Sequence, residues 1–194
     1  MPKIVDHDQY RKDLLNQCFD LFAEKGYASL TTRQIAQVLG VSTGTLYYYF
    51  PSKEDLFTQL IEELTEQDLL RAAAEIEGLG TLRERILALG VFLEANEDHF
   101  IKQNLLLMDF YQQAGFGQSR GNEAVQRVSQ RSRDQIMTTL QIDDPVLATH
   151  VLCLIDGWIA ERMISPNLVS YAQQAELLAD MLEIYLAKTS GAQP

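Results

Sequence analysis

Cysteine is close to absent from this chain. Cys18 and Cys153 are the only two in 194 residues, and each lies in an apolar stretch (CFDLF, VLCLI), so no disulfide is expected and both read as small hydrophobes. Histidine is equally sparse: His7, His99 and His150 stand far apart with no HxxxH or CxxC spacing, which argues against a metal site. Long apolar runs are missing too. The longest, Ile86 to Leu93, falls well short of the roughly 20 residues that cross a membrane, and Met1 to Tyr10 is too polar for a signal peptide. The expected location is the cytoplasm. With 46% hydrophobic residues, the chain has the material for one or two domains with a sizeable core.

Positive charge is in deficit: 16 Lys and Arg stand against 27 Asp and Glu, a formal net charge of -11. Phosphate binding needs a basic surface, so the total argues against a nucleic-acid partner. The distribution reverses that impression. Up to Lys53 there are six basic and five acidic residues, a net of +1, and the remainder carries 10 and 22, a net of -12. The 28 residues from Gly26 to Lys53 contain no Asp or Glu at all. Either one face of this part excludes negative charge for a reason, or a mostly buried segment lacks acid by chance.

Helical spacing runs through nearly the whole chain. Leu14, Leu15, Cys18, Phe19, Phe22 and Ala23 recur at intervals of three and four, predicting an amphipathic helix from about Asp8 to Lys25 that Gly26 ends. Thr31 with Gln34 makes a capping-box pattern opening a short helix with Ile35, Ala36 and Leu39 inward and Gly40 at its end. Ser42 can cap a third helix, on which Leu46 and Phe50 share one face and which Pro51 stops. Two short helices joined by a glycine-containing turn form a helix-turn-helix. Ser52 then caps a long helix, with Glu54 and Asp55 in its first turn, that fades near Gly78. Thr81 with Glu84 opens a helix through Leu93. Further helices are expected from about Asp98 to Ala114 and from about Asn122 to Leu140, separated by the loop GFGQSRG. Asp143 or Asp144 caps the next, with Pro145 in its first turn, which continues to about Ile164, and Ser170 caps the last. No strand pattern occurs. The expected architecture is all-α: an N-terminal three-helix helix-turn-helix unit over residues 1–52, then a larger helical body over 53–194.

The stretch LTTRQIAQVLGVSTGTLYYYFPSKEDLF, Leu30 to Phe57, closely resembles the DNA-binding signature of TetR-family (tetracycline-repressor-like) regulators. The match is in register over about the first 60 residues. Beyond it only the length, the helical pattern and the pair Asp156 and Gly157 in the penultimate helix are similar. The resemblance implies a homodimer whose two helix-turn-helix units read a palindromic double-stranded DNA operator. It also implies a C-terminal domain that binds a small-molecule effector and so releases the protein from DNA. No cofactor and no membrane contact are expected.

With Leu46 and Phe50 inward, Thr43, Thr45, Tyr47 and Tyr48 have faces available to a groove, where methyls and rings can pack on thymine and hydroxyls can bond bases or phosphates. Arg33, in the first turn of its helix, matches the family's base-contacting arginine and suits a bidentate contact to guanine; its bland reading is a solvated surface arginine. Thr32 and Ser42 stand at helix N-termini, where they can hold phosphate or merely cap. Tyr49 and Lys53 match family positions that contact phosphate, although Lys53 could equally pair with Glu54. Gly44 costs a helix roughly 1 kcal/mol against alanine, which close approach to DNA or to the preceding helix would explain.

In the body, Val146 to Ile164 holds only three charged residues, Asp156, Glu161 and Arg162, and the last helix is similarly apolar. Such helices need burial on two sides, one in their own core and one against a second subunit, giving a homodimer through the last two helices; the alternative is a larger monomeric core. Phe92, Asn104, Met108, Tyr111, Gln112 and Trp158 are candidate liners of an effector cavity, against the alternative of plain core. No nucleophile with a base, no paired carboxylates and no cofactor loop stand out, so an enzyme is not expected. The leading reading is a ligand-responsive repressor. An architectural or docking DNA-binding factor without an effector is the alternative, with an enzyme acting in the C-terminal cavity behind it.

Overall fold

The structure is a computed structural model and describes residues 6–114, 122–167 and 170–190; the expected GFGQSRG loop lies outside the described residues. These residues form helices and no strand. In chain order the helices are α1 (His7–Lys25), α2 (Thr32–Val38), α3 (Thr43–Tyr49), α4 (Lys53–Ile76), α5 (Leu82–Ala95), α6 (Glu97–Ala114), α7 (Glu123–Leu140), α8 (Pro145–Ile164) and α9 (Tyr171–Ser190).

Side-chain caps set most of the starts. The Asp6 carboxylate accepts from the Asp8 and Gln9 N–H groups at 3.1 Å each, so α1 begins a residue earlier than the apolar pattern suggests. The expected capping boxes form at Thr31 with Gln34 and at Thr81 with Glu84. Ser42 Oγ accepts from Thr45 N–H at 3.0 Å, and Ser52 Oγ from Asp55 N–H at 2.9 Å. Of the two aspartates ahead of Pro145, Asp144 takes the cap. Phe50 is extended at φ -135° and ψ 98°, the conformation that a following proline imposes.

The chain divides into two compact units. One holds the described residues up to Gln67 and from Lys102 to Ser129; the other holds those from Asp68 to Ile101 and from Gln130 onward. The first packs α1, α2, α3 and the start of α4 around Leu15, Phe22, Ile35, Leu46 and Leu60, with Phe110 of α6 joining them. Its centre is aromatic: Phe57 stacks on Phe110 at 4.4 Å between ring centroids, and Tyr27 meets both edge-on at 4.9 and 5.3 Å. Cys18 is fully buried there, and burial pushes its thiol up to about 12, as suits a small hydrophobe.

The second unit builds its core from α5, α7, α8 and α9, including Leu89, Phe92, Val151, Trp158 and Leu182. α5 and α9 approach closely at Gly90: a Cβ there would lie 2.8 Å from Ala175 Cβ and 3.3 Å from the Tyr171 carbonyl oxygen. Arg83 braces the same pair of helices through Glu176, Asp180 and Glu183. Cys153 is exposed on α8, contrary to its apolar sequence setting, because α8 buries only the face carrying Leu147, Val151, Ile155 and Trp158.

Candidate nucleic-acid interface

The helix-turn-helix is α2 and α3, joined through Gly40 at φ 68°. Leu46 and Phe50 are anchored in the first core at 0% and 1% exposure, which fixes the rotation of α3. The opposite face then points to solvent. Tyr47 is 50% and Tyr48 72% exposed, Arg33, Ser42, Thr43 and Gly44 are exposed, and Thr32 and Thr45 are half-buried. The acid-free segment therefore includes a real surface, and chance in a buried stretch does not account for it.

The structure divides the remaining roles more finely. Thr45 Oγ1 lies 2.8 Å from Ser42 Oγ, so the two hydroxyls are mutually oriented at the start of α3. Gly44 meets only Ser42 Oγ, at 3.6 Å from where a Cβ would stand. Close packing on the preceding helix is thus not what keeps it glycine. Tyr49 is half-buried, with its hydroxyl oxygen 2.8 Å from His7 Nδ1.

Lys53 neither pairs with Glu54 nor reaches outward. Its Nζ donates to the carbonyl oxygens of Tyr27 and Leu30 at 2.9 Å each and sits 4.1 Å from the Tyr27 ring centroid. Two carbonyls and a ring face occupy the ammonium, and the α1–α2 turn is clipped to the start of α4. Burial lowers the Lys53 pKa, with Asp109 opposing. Asp109 of α6 holds the other side of the turn by accepting from Ala28 N–H at 3.2 Å. None of these contacts was readable from sequence spacing, since the partners lie 23, 26, 42 and 81 positions apart.

The candidate effector residues fall in different places. Phe92 and Trp158 are buried in the second core. Asn104, Met108, Tyr111 and Gln112 belong to the first unit, where Tyr111 packs on the core, Gln112 is exposed and Met108 is 62% exposed. A residue not foreseen is Arg85, only 8% exposed, whose Nε and Nη2 donate to the Leu79 and Gly80 carbonyls at 3.1 and 3.2 Å. It borders a cleft of about 450 Å³ in the second unit with Leu70, Ile76, Gln135 and Thr139.

Residues 14–60 match the family described as bacterial regulatory proteins, tetR family. The N-terminal part of the chain is thus TetR-like. Over 96% of its length, and 94% of the relative's, the chain is 25% identical to the HTH-type transcriptional regulator BetI of Rhizobium meliloti. Its fold is shared with a transcriptional regulator from Streptomyces coelicolor, at a TM-score of 0.72 and 24% identity over 89% of this chain and 97% of that one. It is shared also with a regulator from Saccharomonospora viridis in complex with choline, at 0.63 and 23% over 91% and 97%. The segment matched by the family carries the exposed face of α2 and α3, and the chain is a DNA-binding transcriptional regulator. Among the described residues no helix is long and apolar enough to cross a membrane.

Proposed function

We propose that this protein is an effector-released repressor that binds a palindromic operator as a homodimer in the cytoplasm, with no chemistry of its own. The observation that carries the reading head is the outward face of α3. Thr43, Tyr47 and Tyr48, with Arg33 from α2, stand on the longest stretch of the chain without acid. Arg33 and Tyr47 read bases, Thr43, Thr45 and Tyr48 line the groove, and Gly44 lets the duplex come close. Thr32, Ser42 and Tyr49 hold phosphates. Lys53 we assign to the turn beneath them rather than to phosphate.

The dimer is supported by the outer faces of the last two helices. Val146 and Ile164 of α8 and Leu177, Met181, Ile184 and Tyr185 of α9 are exposed in the single chain, while Leu178 and Leu182 of α9 are buried in its own core. Large apolar side chains on both helices call for a partner, and a two-fold partner matches a palindromic site. For the effector we propose a small molecule, as the Saccharomonospora viridis regulator is in complex with choline; Phe92 and Trp158, which share the second core, are its candidate contacts in that unit, while Asn104, Met108, Tyr111 and Gln112 belong to the other. The effector lowers operator occupancy only as far as it prefers the non-binding state.

Selection of duplexes from a random pool tests the reading. Wild type enriches an inverted repeat, and Arg33→Ala and Tyr47→Ala each lose its preference by about 1–3 kcal/mol while staying dimeric. Normal binding of that repeat by both variants would overturn the assignment of α2 and α3. A duplex that no metabolite in a broad screen releases would favour the architectural alternative.

A further inference from the structure

His7 opens α1 and Tyr49 closes α3, yet the imidazole Nδ1 lies 2.8 Å from the Tyr49 hydroxyl oxygen. The imidazole also packs near Tyr48, with ring centroids 6.1 Å apart, and Tyr10 packs on Tyr49 at 5.6 Å. His7 is exposed. Through this contact α1 reaches the end of the reading helix with a side chain of the type that exchanges protons most readily near neutrality.

The direction of the bond depends on the imidazole. With Nδ1 unprotonated, the Tyr49 hydroxyl donates to it and shows only lone pairs to a neighbour. With both ring nitrogens protonated, Nδ1–H must donate to the Tyr49 oxygen, and the hydroxyl proton is directed elsewhere. Tyr49 remains a proton donor throughout, because desolvation, then Tyr48 and Tyr10, push its phenol up. The groups around the imidazole are Tyr48 and Tyr49 from α3, which brings no charge. On its own element they are Tyr10, Asp8, Arg11 one turn on, whose guanidinium donates to Gln59 Oε1 at 2.9 Å, and the Asp6 carboxylate, occupied by backbone N–H groups. A proton gained here adds charge to a surface that has little, since Arg33 and Lys53 are the only cations from Gly26 to Lys53 and Lys53 is engaged in the turn.

We propose that His7 is a positioning residue for DNA: its protonation aims the Tyr49 hydroxyl proton at a backbone phosphate and places a positive charge beside it, so that operator binding takes up a proton. The proposal rests on the reading of α3 as the DNA-contacting helix. Binding that prefers the protonated imidazole tightens as pH falls and weakens as pH rises, with one coupled proton per subunit limiting the change to about tenfold per pH unit for each chain of the dimer.

The test uses the full chain and the duplex that wild type selects, titrated at about pH 6 and about pH 8 with wild type, His7→Gln and Tyr49→Phe. Wild type binds about three- to tenfold tighter at the lower pH, and both variants lose that gain. At the lower pH the salt slope of log K is steeper by about 0.9 per chain in wild type than in His7→Gln. Calorimetry on wild type in buffers of different ionisation enthalpy supplies a readout without any variant, and shows proton uptake on binding. The variants can overturn the proposal in two ways: a His7→Gln protein that keeps the wild-type pH dependence, or a Tyr49→Phe protein that keeps it while His7→Gln does not, which makes His7 a direct phosphate ligand. If wild type selects no duplex at either pH, the DNA-binding reading itself fails; a selected duplex bound equally at both removes only the role of His7.

Discussion

The Asp109 carboxylate accepts a hydrogen bond from the Ala28 N–H at 3.2 Å, and the same oxygen would lie 3.1 Å from a Cβ on Gly26. α6 thereby holds the turn that leads into the reading head. Gly26 is at φ 77° and ψ 150°, a region kept almost wholly to glycine, where a side chain costs on the order of 1–3 kcal/mol. Gly26→Ala is expected to lower unfolding free energy by about that amount, read as a lower urea midpoint at unchanged slope. Asp109→Asn, which retains an acceptor, should cost less than Asp109→Ala.

Lys53→Gln separates two roles for one lysine. Removing the clip on Tyr27 and Leu30 should cost about 1–3 kcal/mol in unfolding experiments, with the salt slope of operator binding unchanged. A slope smaller by about 0.9 per chain would show instead that the ammonium leaves the turn for a phosphate.

The helices were legible because their starts are written in adjacent residues. Thr31 with Gln34, Thr81 with Glu84, Ser42, and Asp144 before Pro145 each act over two or three positions, and the inward pair Leu46 and Phe50 follows from helical period alone. The exposed set of Arg33, Thr43, Tyr47 and Tyr48 was legible for the same reason. What escaped the sequence is side-chain traffic between elements: Lys53 with the α1–α2 turn, Asp109 with Ala28, His7 with Tyr49. Spacing carries no signal for such pairs. Cys153 escaped for a different reason, since a helix as apolar as α8 leaves its own rotation undetermined in the sequence.

Gly90→Ala should destabilise although alanine is the better helix former. The new methyl would meet Ala175 Cβ at 2.8 Å and the Tyr171 carbonyl at 3.3 Å, and overpacking of this kind costs about 1–3 kcal/mol, more than the roughly 1 kcal/mol of propensity gained. Thermal unfolding of the variant checks it; a raised midpoint would mean that α5 and α9 separate without cost.

Acid should weaken the second unit through Glu97. Its hydrogen bond from Arg162 holds the carboxyl below the usual glutamate range, with burial opposing. A depressed folded pKa gives stability that is present above the unfolded value and is lost as pH falls through the folded one. The stability difference between wild type and Arg162→Met is therefore expected to shrink from about pH 6 to about pH 3. A difference that stays constant over that range would show that the pair contributes only packing.

A hydroxyl-radical footprint of wild type on its selected duplex tests the dimeric reading head most directly. Two protected patches on one face of the DNA are expected, centred about 34 Å or a multiple of it apart, and scrambling either half-site should abolish both. A single patch that survives loss of the other half-site would contradict the account.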